Sequence, residues 1–226
     1  MTEEEWFEDR YDPSDFILFL TDDQEASDRK LRLFAVACCR RVWDHLPAPG
    51  SQRAVEVAER YADGTATTKE LAAARRRAEP FKSFEFGDVD VAKHAAEREV
   101  DVDSCALNAS LLAADTLVSH EAEGTDEYER WQEADNAESF AQVLLLREIF
   151  GNPFRPVEFD PAWRTSDVMM LAKGIYEEKA FDRMPILADA FQDAGCDSEE
   201  LLNHLRDTNA PHVRGCWALD LVLGKE

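Results

Sequence analysis

The sequence predicts an all-α fold: a compact bundle of short antiparallel helix pairs with one extended strap rich in proline and phenylalanine. Apolar residues recur at intervals of three and four along most of the chain, and no long stretch alternates as strands do. Groups of Pro, Gly, Ser, Thr and Asp separate these stretches, as at helix ends. With 45% apolar residues among 226, the chain can fill a substantial core.

The helices before residue 80 have recognisable starts. They are predicted to begin near Pro13, Ser27, Ser51 and Thr67, each followed by an apolar pattern. Thr67 and Glu70 have the spacing of a capping box, in which each side chain caps the other's backbone N–H. These short amphipathic segments favour helical hairpins.

The helical pattern weakens from Pro80 to Val100, which is predicted to be a loop in a variable middle region of about residues 80–125. Helices are predicted over about 102–120 and 126–149. After the strap, helices are expected to begin at Thr165, Asp182, Asp197 and His212, with short connections. The whole chain, 1–226, is expected to form a single helical domain.

The strap is the segment Arg147–Trp163. It contains three prolines, which forbid helix, and three phenylalanines and a tryptophan, which favour burial, so an extended segment in a groove between helices is predicted. We favour a structural role for these rings. The alternative is a partner-binding ridge, because aromatic and arginine side chains are enriched in binding hot spots. The candidates are Phe150, Asn152, Phe154, Arg155 and Trp163.

Charge is large and unevenly distributed. The formal net charge is -23, yet residues 29–82 carry twelve basic against six acidic residues, whereas residues 1–28 carry eleven acidic and one basic. The overall field repels polyanions, so direct nucleic-acid binding is disfavoured and a basic protein partner fits the sign better. The acidic segment 1–28 is expected to neutralise the adjacent basic stretch. Acidity could equally serve solubility alone.

The five cysteines, an odd number, indicate reduced buried thiols rather than a disulfide framework. The opening Met1-Thr2-Glu3-Glu4-Glu5 has no basic and apolar leader, and no apolar run approaches the length of a membrane span. A cytoplasmic location without membrane association is expected.

Metal-ligating residue types cluster near the C-terminus. Cys196, His204, His212 and Cys216 lie within 21 residues, but a helix between Cys196 and His204 would separate them by ~12 Å, too far for one tetrahedral ion. The smaller set His204, His212 and Cys216 remains a candidate metal site. The alternative is a buried thiol beside histidines that bond backbone or solvent.

Signatures of catalysis are missing from the sequence. It contains no Gly-x-Ser-x-Gly elbow, no glycine-rich phosphate loop and no His-Glu-x-x-His motif. No catalytic residue and no cofactor is therefore predicted, and a protein without enzymatic activity is favoured.

Four motifs resemble a family of bacterial hypothetical proteins that has no established activity. They are Asp28–Arg41 (DRKLRLFAVACCRR), Ile149–Val157 (IFGNPFRPV), Ala180–Ala190 (AFDRMPILADA) and Pro211–Trp217 (PHVRGCW). The resemblance implies one co-folded unit and no function.

Three functions are expected from the sequence. The first is a non-enzymatic cytoplasmic interaction module that binds an unknown protein partner through an acidic helical surface. The second is a metal-binding helical enzyme or a zinc-stabilised domain using His204, His212 and Cys216. The third is a role linked to nucleic acid, through the basic stretch 29–82 or through acidic mimicry of DNA.

Overall fold

A computed structural model describes residues 1–8, 12–23, 26–46, 49–78, 81–83, 87–117 and 125–225. Within these ranges the α-helices are α1 Glu3–Phe7, α2 Ser14–Leu18, α3 Asp28–Arg41, α4 Pro49–Ala62, α5 Thr68–Arg75, α6 Val91–Ala95, α7 Val102–Leu117, α8 Thr125–Phe150, α9 Ser166–Glu178, α10 Met184–Asp193, α11 Glu199–Arg206 and α12 Trp217–Leu223. A π-helical turn, Phe19–Asp23, follows α2, and 3₁₀ turns occupy Trp43–His45, Pro161–Trp163 and Phe181–Arg183.

The predicted all-α class is confirmed. The described residues also contain one small antiparallel hairpin, β1 Phe81–Ser83 and β2 Gly87–Val89, with Phe81 opposite Val89. Strands of three residues are too short to carry an alternating pattern, so this hairpin was not predictable from periodicity. The antiparallel pairing of the helices stays a prediction.

Several predicted helix starts are confirmed by their caps. The side chains of Ser27, Thr67, Thr165 and Ser198 each accept a hydrogen bond from the first turn of the following helix, and Thr67 with Glu70 forms the full capping box. The start at Ser51 was wrong. α4 begins at Pro49, in the first turn, where proline's missing N–H leaves no bond unmade, and Ser51 is buried inside the helix.

The chain forms two compact units, Glu3–Leu145 and Leu146–Glu226, and each is described by itself. The expectation of a single domain with a variable middle stays a prediction. None of the helices within the described ranges has the length and apolarity that crossing a membrane requires.

Helix α3 organises the N-terminal unit. Every residue from Leu31 to Cys39 is buried, and the helix packs against α4, α6 and α7. Cations of the basic stretch form ion pairs with acidic side chains of the same unit: Arg29 with Asp63, Arg40 with Glu59, and Arg41 with Glu138. The basic stretch is thus partly neutralised where it lies. Neutralisation by segment 1–28 stays a prediction.

The C-terminal unit packs α9 against α10 and α12, and α10 against α11. Its core contains Val168, Met184, Leu187, Phe191 and Leu219, all fully buried. Helix α8 continues to Phe150, so the non-helical strap begins at Gly151, four residues later than predicted. At its far end, the ring of Phe159 packs against Trp163 and Phe191 with centroids 5.5 and 6.2 Å apart.

Candidate metal centre

Four side chains with metal-ligating atoms converge in the C-terminal unit. They are Glu148, His204, His212 and Cys216, and one ligand atom from each lies within 4.8 Å of the others. The three residues singled out in the sequence are therefore brought together, with a glutamate as the fourth member. We call these four residues the Glu-His-His-Cys cluster.

The cluster draws on three helices and one loop. Glu148 lies in the last turn of α8, His204 lies on α11, and Cys216 is the residue directly before α12. His212 lies in the loop of residues 207–216. The prediction of a helix from His212 was wrong, because α12 begins only at Trp217 and Gly215 has a φ of 91°, in the left-handed region. His212 and Cys216 therefore meet through a loop rather than on one helical face.

Distances within the cluster are close to those of a tetrahedral ion. The Nε2 atom of His204 lies 3.2 Å from Cys216 Sγ and 3.5 Å from Glu148 Oε2, and His212 Nδ1 lies 3.0 Å from Glu148 Oε1. Ligand atoms lie ~2.0–2.3 Å from zinc, so neighbouring ligand atoms in a tetrahedral shell are roughly 3.3–3.8 Å apart. The widest separation in the cluster exceeds that spacing by about 1 Å, which small side-chain rotations can remove.

The cluster is buried. Glu148 is 3% exposed and Cys216 is fully buried, while His204 keeps part of its surface in solvent. Burial lowers the pKa of His204; Glu148 opposes that shift and His212 adds to it. Burial raises the pKa of the Cys216 thiol well above its ordinary value of 9.0, and the neighbouring Glu148 carboxylate raises it further. At neutral pH, His204 is thus uncharged, the form in which imidazole binds metals.

Hydrogen bonding in the cluster is incomplete. The Nε2 atom of His212 is buried and has no hydrogen-bond partner among the described residues. Buried polar atoms without a partner are uncommon, and each has a cost of about 1–3 kcal/mol. The polar groups of the cluster do not satisfy one another fully.

An aromatic ring and a glycine close one side of the cluster. The ring of Trp217 lies 4.8 Å from that of His204, between centroids. Gly151 has a φ of 66°, and a Cβ there would lie 3.0 Å from Cγ of Trp217. Glycine at this position lets the chain turn sharply out of α8 and pass close to the indole.

Other residues named from the sequence lie elsewhere. Cys196 is buried but is not part of the cluster, as the spacing argument predicted. Among the proposed partner-binding residues, Trp163 is 7% exposed and belongs to the core. Asn152 accepts hydrogen bonds from the backbone N–H groups of Phe154 and Arg155 and thereby shapes the turn. A partner-binding role for Phe150, Asn152, Phe154, Arg155 and Trp163 stays a prediction.

Glu148 was missed, although the sequence carried a signal for it. Leu145 and Ile149 are buried on α8, and Glu148, three residues after one and directly before the other, falls on the same apolar face. A carboxylate on a core-facing position needs a partner of opposite charge. That requirement could have linked Glu148 to the histidines and cysteine near the C-terminus.

Comparison with known proteins adds no assignment: no family model matches the chain, and no curated protein or solved structure is significantly similar to it. The function must therefore be argued from the cluster itself.

Proposed function

We propose that the C-terminal unit, residues 146–226, is a zinc-binding domain whose ion is held by Glu148, His204, His212 and Cys216. The convergence of these four ligand atoms within 4.8 Å carries the proposal. This replaces the expectation from the sequence that no cofactor is present.

Charge balance supports a dication at this position. In the C-terminal unit the buried carboxylate of Glu148 contacts two histidines and a thiol, none of which carries a permanent positive charge. Zn²⁺ would displace the thiol proton, as metals do on binding cysteine. The dication, one thiolate and one carboxylate then sum to zero, which removes most of the cost of burying a charge.

The ligand types favour zinc. Thiolate and imidazole suit a borderline-soft ion, a carboxylate oxygen is an accepted zinc ligand, and four ligands from four places match a tetrahedral shell. Calcium and magnesium prefer sets made only of oxygen. The proposed ion is structural rather than catalytic, because four protein ligands leave no position for a bound water.

The ion would tie together parts of the chain that are far apart in sequence. Glu148 ends α8, His204 lies on α11, and His212 and Cys216 flank the turn into α12. The predicted interaction role is compatible with this proposal, since a structural ion can stabilise a domain that only binds partners.

The test is metal analysis of the full chain purified without chelator. We expect one zinc per chain. Removing zinc should lower the thermal midpoint, and restoring it should raise the midpoint, since a ligand present at a thousand times its Kd stabilises by about 4 kcal/mol. Cobalt substitution provides a second readout, because bound Co²⁺ gives intense visible bands when tetrahedral and a near-ultraviolet band when a thiolate is a ligand.

Matched cysteine variants supply the control. Cys216→Ser should lose the near-ultraviolet cobalt band and bind zinc roughly 10- to 1000-fold more weakly, through loss of its thiolate ligand. Cys196→Ser replaces a buried thiol outside the cluster and should retain the band and the stoichiometry. Absence of bound metal in a folded protein that also fails to take up zinc or cobalt would refute the proposal.

A further inference from the structure

A pocket of about 280 Å³ opens on the surface of the N-terminal unit. It lies among the residues just before and at the start of α2, the outer face of α7 and the middle of α8. It shares no residue with the Glu-His-His-Cys cluster, so a role for this pocket is independent of the proposed zinc domain.

Hydrogen-bond acceptors dominate the pocket. Three carboxylates line it, Asp12, Asp103 and Asp135, and none of its described lining residues is a lysine, arginine or histidine. Burial, followed by repulsion from Asp101 and Asp12, raises the pKa of Asp103. The described lining thus concentrates negative charge without a cation of its own.

A buried amide independently indicates a missing donor. Gln142 lines the pocket and is fully buried, and its side-chain NH₂ donates to the backbone oxygen of Ala106, which also lines the pocket. This bond fixes the orientation of the amide. The carbonyl Oε1 is then left without any hydrogen-bond partner among the described residues. A buried acceptor of this kind is satisfied by a ligand that brings its own N–H groups.

The shape of the pocket disfavours a single metal ion. Among the described residues, the metal-sized grouping of His, Cys, Asp and Glu atoms is the one in the C-terminal unit, so the three aspartates do not converge on one point. Separated carboxylates match a ligand with separated positive charges. Pro13, Ala106 and Leu107 contribute apolar lining that can contact methylene groups between those charges.

The geometry points to this pocket as a binding site for a linear aliphatic diamine or polyamine, whose ammonium groups pair with Asp135 and Asp103 and donate to Gln142. Each ammonium carries three N–H donors and no acceptor, the complement of the lining. Asp135 is already positioned, because its carboxylate accepts a hydrogen bond from Ser110 Oγ, which also lies 3.2 Å from Ser139 Oγ.

The test is isothermal titration of the full chain with 1,4-diaminobutane at low ionic strength. Two matched compounds serve as references: n-butylamine, which carries one charge and imitates a lysine side chain, and 1,4-butanediol, which carries none. We expect saturable binding in the order diamine, monoamine, diol, weakening as salt is added.

Isosteric variants locate the site. Asp135→Asn and Asp103→Asn should each weaken diamine binding by roughly threefold to tenfold, because each removes one partly exposed charge pair. Asp182→Asn, an exposed aspartate of the C-terminal unit, should bind as the wild type does. Far-UV circular dichroism and urea midpoints would establish that the variants are folded.

Three results would overturn the inference. They are no saturable binding of the diamine at millimolar concentration, equal affinity for diamine and monoamine, and unchanged affinity in both pocket variants. Equal affinity for the monoamine would mean that the second charge of the ligand is not recognised and that a lysine side chain would suffice.

Discussion

Arg32 is the buried cation on which the N-terminal unit depends, and replacing it by methionine should destabilise that unit strongly. The side chain is 2% exposed. Its Nη1 atom donates to the backbone oxygens of Ala95 and Glu97 at 2.8 and 2.7 Å, and Nη2 donates to that of Arg98 at 2.8 Å. The guanidinium also lies over the ring of Tyr61, 5.0 Å from its centroid. Arg32 thus caps the carboxyl end of α6, whose last carbonyls have no partner within the helix.

The cost of Arg32→Met is estimated from the three carbonyls. Ala95 is fully buried, so its oxygen would lose the guanidinium donor at a cost of about 1–3 kcal/mol. Glu97 and Arg98 are partly exposed and can turn to water, so each lost bond costs about 0.5–1.5 kcal/mol. Methionine recovers some packing, and we expect a net loss of about 3 kcal/mol. Arg32→Lys keeps the charge but loses the planar fork, so a loss of about 1–2 kcal/mol is expected.

Urea unfolding followed by circular dichroism measures the loss, and hydrogen exchange of amides 91–98 locates it. Arg53→Met is the matched control, because Arg53 is exposed on α4 and forms its ion pair with Glu56 one turn away; its effect should stay within about 0.5 kcal/mol. If Arg32→Met changed stability no more than this control, water would be replacing the guanidinium, and the reasoning would fail.

Two further predictions concern the N-terminal unit. Gly50→Ala should cost about 1–3 kcal/mol, because the new Cβ would lie 2.1 Å from the backbone oxygen of Arg77, whereas Gly174→Ala, with open space around it in α9, should stabilise by about 0.5–1 kcal/mol; equal effects in urea unfolding would contradict the clash. Burial raises the pKa of both Cys38 and Cys105 well above 9.0, so stability should be constant below pH 9 and fall above it, as the unfolded chain releases thiol protons that the folded chain retains. Each thiol contributes about 1.4 kcal/mol per pH unit, so Cys38→Ala should reduce the alkaline slope by that amount, and an unchanged slope would show that the thiol ionises in the folded state.

Helix starts were predictable where the signal was local. A Ser or Thr side chain that accepts from the next turn needs nothing beyond its own segment, and this is why Ser27, Thr67, Thr165 and Ser198 were found. Ser51 misled because the same side chain can lie inside a helix. There, the Pro49-Gly50 pair decides where α4 begins, and Gly50 is needed because Arg77 passes close to it.

The candidate metal centre was only partly predictable, for a tertiary reason. His204, His212 and Cys216 lie close in sequence, and residue type with spacing was enough to select them. Glu148 lies 56 residues before His204 in the chain, so only the folded unit brings them together. The loop before α12 was likewise hidden, because its apolar residues and histidine fit a helical pattern until the left-handed backbone of Gly215 interrupts it.

Buried glutamates link the charge pattern of the chain to its proposed chemistry. Three are buried in the described residues, and in the N-terminal unit each has an arginine: Glu59 pairs with Arg40 at 3.3 Å, and Glu138 accepts two bonds from Arg41 at 2.8 and 3.0 Å. Glu148, in the C-terminal unit, instead faces two histidines and a thiol. Because a buried carboxylate needs a compensating positive charge, either a histidine must hold a proton there or a cation must enter. Burial lowers the pKa of His204, which opposes the first solution, whereas the ligand geometry favours the second.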